Sequence, residues 1–454
     1  MNENSYNRLA RTLMDQGMSY EAALKKLNSL QLRISCGAEI RDSAAQQAAL
    51  LTAVNSGKRA FLGGVAVNMP DDVKLRVPWP GVSLNSVVST LGGVFDPPRV
   101  QSDDTPQLLL GSAEPHANFG LRLYCDGWRG AIGPPDADVA AFTPGSDFAL
   151  GGVISGALGV AHSFLKATGV HVRAGDSVVG ISAWRPDLHW LDPHATGPIL
   201  EGLPKSFWLL GLGHLGQAYL WNVGLLPFAK PAEVKVVLQD FDHLVEANWS
   251  AGLLTEKMKP TYYKTRLCAS WLEARDFRTA ITERRYNEHT VRAGDEPYLA
   301  LCGFDNAAAR THLEDSGFDL VLEAALGGSL STFDRIMMHT FPDASKTART
   351  IWGGHAQESA QPTAEIVELT KDIEDCGILA ISLANKAISA SFVGALAGAL
   401  VLGEALRACC GGVRCEILSG MVRNFEARDV ALHQRESYSK ELARNGIVNA
   451  TRSR

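Results

Sequence analysis

The chain has 454 residues, 46% hydrophobic and 20% charged, the balance of a folded protein of two or three domains rather than a disordered or fibrous one. A formal net charge of −6, with no run of five basic residues, argues against a dedicated nucleic-acid binder. The eight cysteines are scattered without a CxxC pair, which argues against a four-cysteine zinc site; the N-terminus has no apolar leader core, so a cytoplasmic location is expected.

Residues 5–30 read as one helix, with Leu9, Leu13, Met14, Ala23, Leu24 and Leu27 at apolar positions. A strand over 30–40, a helix over 41–57 ending at Gly57, and a strand over 61–67 then make a β-α-β unit. No GxGxxG joins its first strand to its helix, so no phosphate site is expected there. Residues 68–146 are rich in Pro, Gly and Asp, with short strands such as 121–128. An apolar helix over 147–169, strand-like sequence over 170–184 and an interdomain connection over 186–204 follow.

From residue 206 the alternation is clearer. Strands at 206–210, 234–240, 298–303 and 318–324 alternate with helices at 214–225, 260–275 and 305–315. This predicts an α/β fold, a Rossmann-like, mostly parallel sheet with helices on both faces. The apolar stretch 387–403 is short for a membrane span, and its Gly and Ala content suits a buried helix. Residues 424–454 read as a helix and a polar tail. GALGVAHSFLKATG (156–169) and GALAGALVLGEALRACCG (394–411) share a small-residue start, an apolar helical pattern and a closing Gly. Either two buried helices are alike by chance, or the chain holds two copies of one fold, of which only the second keeps a nucleotide loop.

That loop is Gly211-x-Gly213-x-x-Gly216, at the end of the apolar run SFWLL. The first Gly allows a tight turn, the second lets backbone approach phosphate, and the third lets helix pack on strand. The helix N-terminus then offers free N–H groups to an anion. Asp240, at the end of the next strand, stands where such folds grip ribose hydroxyls. Asp305 ends another strand of the same parallel set, and a carboxylate there can hold Mg²⁺.

Taken in order, these residues resemble the ThiF/MoeB/ubiquitin-activating enzyme family. Its pattern is a GxGxxG loop, a D-x-D segment leading to an Asn, a Lys on the next helix and a D-N-x-x-x-R strand end. Here these are Gly211, Gly213 and Gly216; Asp240, Asp242, Glu246 and Asn248; Lys264; and Asp305, Asn306 and Arg310. The match covers roughly 206–411, including VLEAALGGSLSTF (321–333) and EDCGILAIS (374–382). The resemblance implies adenylation of the C-terminal carboxylate of a ubiquitin-like protein by ATP and Mg²⁺. Asp240 would hold ribose, Asn248 and Lys264 would contact phosphate, and Asp305 would ligate Mg²⁺. Cys376 would then form a thioester for transfer to a conjugating, E2-like partner, or is a buried structural cysteine. The family's Arg, three residues after the Asn, is Ala251 here. Arg8, with Arg11 behind it, would supply a cation from a paired domain or subunit, or is a solvated helix residue.

The expected architecture is a degenerate adenylation-like domain over 1–200 and an active one over 206–454, working as an intramolecular pseudo-dimer or a homodimer. Bacterial proteins of this type occur in sulfur-carrier and antiphage conjugation systems, and the lack of CxxC pairs favours conjugation. No nucleic acid or membrane partner is implied. The alternatives are an NAD-dependent oxidoreductase and a catalytically inactive scaffold of the same fold.

Overall fold

Short aliphatic strands separated by helical sequence build two sheets, one in each half of the chain. The computed structural model describes residues 7–95, 102–257, 262–343, 345–354, 364–370, 387–437 and 444–451. In the first half come α1 (Arg11–Met14), α2 (Tyr20–Ser29), β1 (Leu32–Cys36), α3 (Ala44–Ala60), β2 (Val65–Asn68), α4 (Leu84–Thr90) and β3 (Gly93–Phe95). They are followed by β4 (Gln107–Leu110), β5 (Gly120–Cys125), β6 (Arg129–Gly133), α5 (Ala149–Ala167) and β7 (Val179–Ser182). The sheet runs β3-β2-β1-β4-β5-β6-β7. It is parallel as far as β5 and antiparallel at β6 and β7.

In the second half are β8 (Gly202–Pro204), β9 (Ser206–Leu210), α6 (His214–Leu225), β10 (Lys235–Gln239), α7 (Lys264–Glu273), β11 (Arg278–Thr282) and β12 (Leu299–Cys302). Next are α8 (Ala307–Arg310), β13 (Leu320–Leu326), β14 (Arg335–Phe341), α9 (Ala348–Trp352) and α10 (Ala364–Thr370). The half closes with α11 (Ser391–Cys409), β15 (Val413–Met421), β16 (Asp429–Ser437) and β17 (Ile447–Asn449). Its sheet runs β11-β10-β9-β12-β13-β14-β15-β16, again parallel up to the fifth strand and antiparallel beyond. The first seven strands of the two halves therefore share order and sense. In each, one Ala/Gly-rich helix, α5 or α11, lies between the sixth strand and the seventh and leads into the seventh. Chance likeness of two helices does not produce a common seven-strand order; the two halves repeat one strand topology.

The halves meet through α3, α5, α6 and α11. Two glycines one helical turn apart let each long helix approach its neighbour closely, backbone to backbone at Gly152, Gly156 and Gly398. A Cβ on Gly152 or Gly156 would lie 1.9 or 2.5 Å from the carbonyl oxygens of Ala45 and Ala49 on α3. On α11, Gly398 faces Ala218 O of α6 at 2.8 Å, and Gly394 abuts the His214 ring. α5 and α11 also contact each other, with Phe164 and Phe392 ring centroids 5.6 Å apart. Both helices are long and apolar enough to cross a membrane, yet each is 94% buried inside the protein, as the composition of 387–403 led us to expect. Polar ties cross the junction as well. Trp221 Nε1 donates to Thr52 Oγ1 at 3.0 Å, and His162 Nε2 lies 3.0 Å from Val422 O.

Several sequence expectations need correction. The helix expected over 5–30 is broken between α1 and α2, where Gly17 takes φ +91° and Ser19 caps the new helix. Gly57 does not end α3; it sits inside it, where its missing Cβ makes room for Leu32 and Val65. The strand-like stretch 170–184 pairs only over Val179–Ser182. The helix expected over 305–315 is a single turn, α8, followed by turns. Among the described residues of the C-terminal stretch, 429–437 and 447–449 are the strands β16 and β17 and not helix; β16 pairs with β15, and β17 pairs with β8.

Two outcomes follow. Gly152→Ala and Gly159→Ala gain the same helix propensity, about 1 kcal/mol, but meet different neighbours. Gly152 faces a carbonyl, whereas Gly159 faces Leu108 methyl groups at 3.1 Å that can shift. Thermal unfolding should show Gly152→Ala less stable by about 2 kcal/mol and Gly159→Ala within about 1 kcal/mol of the parent. Burial pushes His162 down to about 4, below the unfolded value of about 6.5. The folded state thus binds fewer protons than the unfolded chain between these values. The stability from neutral His162 is complete above pH ~6.5 and is lost, on the order of 3 kcal/mol, as pH falls through ~4. His162→Gln should flatten the stability–pH curve in that window, measured by denaturant unfolding.

Candidate functional site

The glycine loop forms as the motif requires, each glycine for its own steric reason. Gly211 takes φ +82° and has Phe304 and Gly303 2.9–3.3 Å from where a Cβ would be. Nothing lies within 4 Å of a Cβ built on Gly213, so its backbone faces open space. A Cβ on Gly216 would lie 2.0 Å from Gly211 O, so only a bare backbone lets α6 start this close to β9. Gly213 is the N-cap of α6, and among the described residues no side chain caps the helix. Its first-turn N–H groups are left for an anion, with the positive end of the helix dipole behind them.

The strands flanking β9 bring the predicted acids to this loop. At the end of β10, Asp240 accepts from Leu212 N at 2.6 Å and from Asp242 N at 2.8 Å. Its carboxylate shapes the loop, and its remaining lone pairs are available to hydroxyl donors. Asp242 accepts from Lys264 Nζ at 2.7 Å, so the lysine cation is fixed on the first turn of α7. Asn248 Oδ1 accepts from Val245 N at 2.9 Å and folds its own turn, leaving its amide NH₂ to contact a ligand. On the other flank, Gly303 N donates to Leu210 O at 2.8 Å, and Asp305 follows, exposed, at the carboxyl end of β12. Asn306 caps α8. Arg310 bends back to donate to Phe304 O and Ala324 O and lies 3.5 Å from the buried Glu323; it fixes the turn that presents Asp305.

Arg8 belongs to the same region. Asn7 N donates to the Tyr20 hydroxyl at 3.0 Å, which pins the start of the chain to α2. Burial, and then the Arg8 charge, push His214 down to about 4. Arg8 therefore acts on the first residue of α6 within one chain, and His214 is neutral at pH 7. Cys376 lies outside the described residues. Ala251, at the position where the resemblance expects Arg, is buried. Among the described residues no group of three or more His, Cys, Asp or Glu could hold a metal ion by itself. Asp305, a single hard oxygen donor, suits Mg²⁺ completed by phosphate oxygens and water.

Three contributors escaped the sequence reading. Gln217, beside the third glycine, accepts from Leu254 N and Thr255 Oγ1, both at 3.0 Å, and donates to Leu212 O at 3.3 Å. A Gln inside an apolar helix was the available signal. The other two are Asp147 and Glu39, which fill the corresponding place in the first half. Asp147 accepts from Ala44 N and Ala45 N at 2.8 and 2.9 Å and from Ser43 Oγ at 2.9 Å, capping α3 where α6 is open. Gly37 and Gly111 follow β1 and β4 as Gly211 and Gly303 follow β9 and β12. The Glu39 carboxylate lies against both glycines and accepts from Ser112 N and Oγ at 3.1 and 3.0 Å. The first half thus closes its anion position with its own carboxylates. Glu39 and Asp147 lie far apart in sequence from each other and from any motif, so no spacing pattern marks them.

Two family models match the chain, one in each half. A family model described as the BilD N-terminal domain matches residues 31–183, and one described as the BilD C-terminal domain matches 203–412. The chain is 38% identical over 435 residues to the bacterial E1-like protein BilD of Collimonas sp. (strain OK412), covering 94% of this chain and 93% of that one. Among solved structures, E. coli MccB with ATP aligns at TM-score 0.33 and 10% identity, over 70% of this chain and 95% of that chain. E. coli tRNA N6-threonylcarbamoyladenosine dehydratase, TcdA, in complex with ATP aligns at TM-score 0.30 and 13% identity, over 44% and 84%.

Two of the loop glycines make separable predictions. Gly216→Ala should lower thermal stability by about 2 kcal/mol, because its methyl meets a carbonyl. Gly213→Ala should stay within about 1 kcal/mol of the parent, yet abolish pyrophosphate binding in calorimetry, because its methyl stands in the open face of the loop.

Proposed function

The chain belongs to the family of bacterial E1-like BilD proteins, and we propose that it adenylates the C-terminal carboxylate of a ubiquitin-like protein at the glycine loop of its second half. The observation that carries this reading is the uncapped N-terminus of α6 behind Gly213, with Asp240 on one side and Asp305 on the other. The capped α3 of the first half is its internal contrast.

In the proposed reaction a carboxylate oxygen attacks the α-phosphorus of ATP. The bond from that phosphorus to the bridging oxygen breaks, pyrophosphate leaves with the electron pair, and an acyl adenylate forms. The difficulty is crowding of negative charge, and preorganised positive groups supply the remedy. The α6 N–H groups receive phosphate oxygens. Lys264, already held by Asp242, brings a fixed cation, and Arg8, from the N-terminal segment, adds a second charge near the start of α6. Asp240 accepts from ribose hydroxyls. Mg²⁺, held by Asp305 and phosphate oxygens, would neutralise the departing pyrophosphate. Next, the Cys376 thiolate attacks the acyl carbon, AMP leaves, and the resulting thioester passes to a conjugating, E2-like partner. The setting we propose is a cytoplasmic bacterial conjugation system of the antiphage kind. With Glu39 and Asp147 in place, one nucleotide binds per chain, and the two halves work as an intramolecular pseudo-dimer.

An oxidoreductase would use the loop and Asp240 but leaves Lys264 and Asp305 without purpose. Calorimetric titration with Mg²⁺-ATP and with NAD decides. The expected result is one Mg²⁺-dependent ATP site per chain, weakened about tenfold or more in Asp305→Ala, as for a lost charged contact, and no heat with NAD. Binding of NAD without ATP would overturn the proposal.

A further inference from the structure

We propose that Arg59, on the first half, is a positioning residue for the glycine loop of the second half. The inference rests on reading that loop as the nucleotide site. The first observation is one of length. α3 and α6 are the same crossover helix in the two halves, yet α3 has 17 residues and α6 has 12. The additional turn of α3 carries Lys58 and Arg59 and reaches across the junction into the segment 249–255.

There the Arg59 guanidinium is fully buried. It donates to Trp249 O at 2.9 Å and to Leu253 O and Thr255 O at 3.1 Å. It also donates to Asn55 Oδ1 at 3.2 Å, while Asn55 Nδ2 donates to Leu253 O at 3.0 Å. Among the described residues no carboxylate lies within salt-bridge distance of it; Glu256 pairs with Lys58 instead, at 3.7 Å. A buried cation held only by carbonyl dipoles and the Trp249 face is an expensive way to fill space, which an apolar side chain would do better. Its fork has a geometric use instead, since it gathers three carbonyls of one loop.

The gathered segment continues to the glycine loop. Leu254 N and Thr255 Oγ1 donate to Gln217 Oε1, and Gln217 Nε2 donates to Leu212 O at 3.3 Å. Gly252 packs so closely that a Cβ there would be 2.5 Å from Gln217 Oε1. Arg59 therefore sets the 249–255 backbone, that backbone sets Gln217, and Gln217 sets Leu212 within the phosphate loop. Ala251 lies in the middle of this segment, at the place where the family resemblance has an arginine. Here the guanidinium arrives from the other half and is aimed at the backbone.

The test is Arg59→Lys, which keeps the charge and removes the fork, read by amide hydrogen exchange without nucleotide and by Mg²⁺-ATP titration. The expected result is a folded protein in which exchange over both 249–256 and 209–217 is about tenfold faster, as for one charge-assisted bond lost, while β4 and β5 are unchanged. ATP affinity should fall by a similar factor. Unchanged exchange over 209–217 would overturn the proposal, because a merely structural role would loosen only the junction. If Arg59→Lys does not fold, Asn55→Ala, which removes one partner of the same cluster, decides by the same exchange readout. If the parent itself binds no Mg²⁺-ATP, the adenylation reading falls, and the exchange result still decides what Arg59 does.

Discussion

Backbone-to-backbone contact at paired glycines is the constraint on which this molecule depends. Gly152 and Gly156 on α5 and Gly398 on α11 meet backbone of α3 and α6, and Gly394 on α11 meets the His214 ring, so none has room for a Cβ. The approach fixes each crossover helix against its long neighbour and hence against its own sheet. Because the start of α6 is also the anion end of the glycine loop, the same packing fixes where a phosphate can sit. The apolar core and the candidate site are two ends of one rigid helix pair.

Duplication gave the chain this arrangement twice, and electrostatics separates the copies. In the first half Asp147 and Glu39 occupy the helix start and the glycine pair at the strand ends. Both sit among backbone donors, which satisfy a carboxylate as well as a phosphate. Hydrogen bonds from its own backbone and from Ser112 hold the Glu39 carboxyl below its ordinary range. In the second half the equivalent donors have no such partner among the described residues. The strand order is shared; one carboxylate near a helix start decides whether the position is a structural cap or a binding site.

The second sheet and its glycine loop were legible in the sequence because they obey local rules. The 206–210 strand and 214–225 helix fall where the pattern puts them, and Gly211, Gly213 and Gly216 each meet the steric condition inferred for them. The duplication showed through the two GAL helices because small residues at helical spacing are a packing signature. The break between α1 and α2 was missed because apolar spacing continues through Gly17 and only its positive φ interrupts the helix. Gly57 was misread as a stop because close strand packing inside a helix uses the same residue as a C-cap. The C-terminal strands went unread because β16 is polar and gains its order by pairing with β15.

What no local rule could reveal is how much of the second half's site is built by the first. Arg8, Asn55 and Arg59 are distant in sequence from every motif, and an arginine in a helix normally reads as a solvated charge. Their meaning comes from the junction, which buries Arg59 against carbonyls of the other half and sets the Arg8 charge near His214. A duplicated domain that only filled space would drift toward apolar contacts across such a junction, since buried unpaired charge is destabilising. The buried Arg59 guanidinium kept there instead, tied through the 249–255 backbone and Gln217 to the glycine loop, fits a first half that shapes the candidate site of the second.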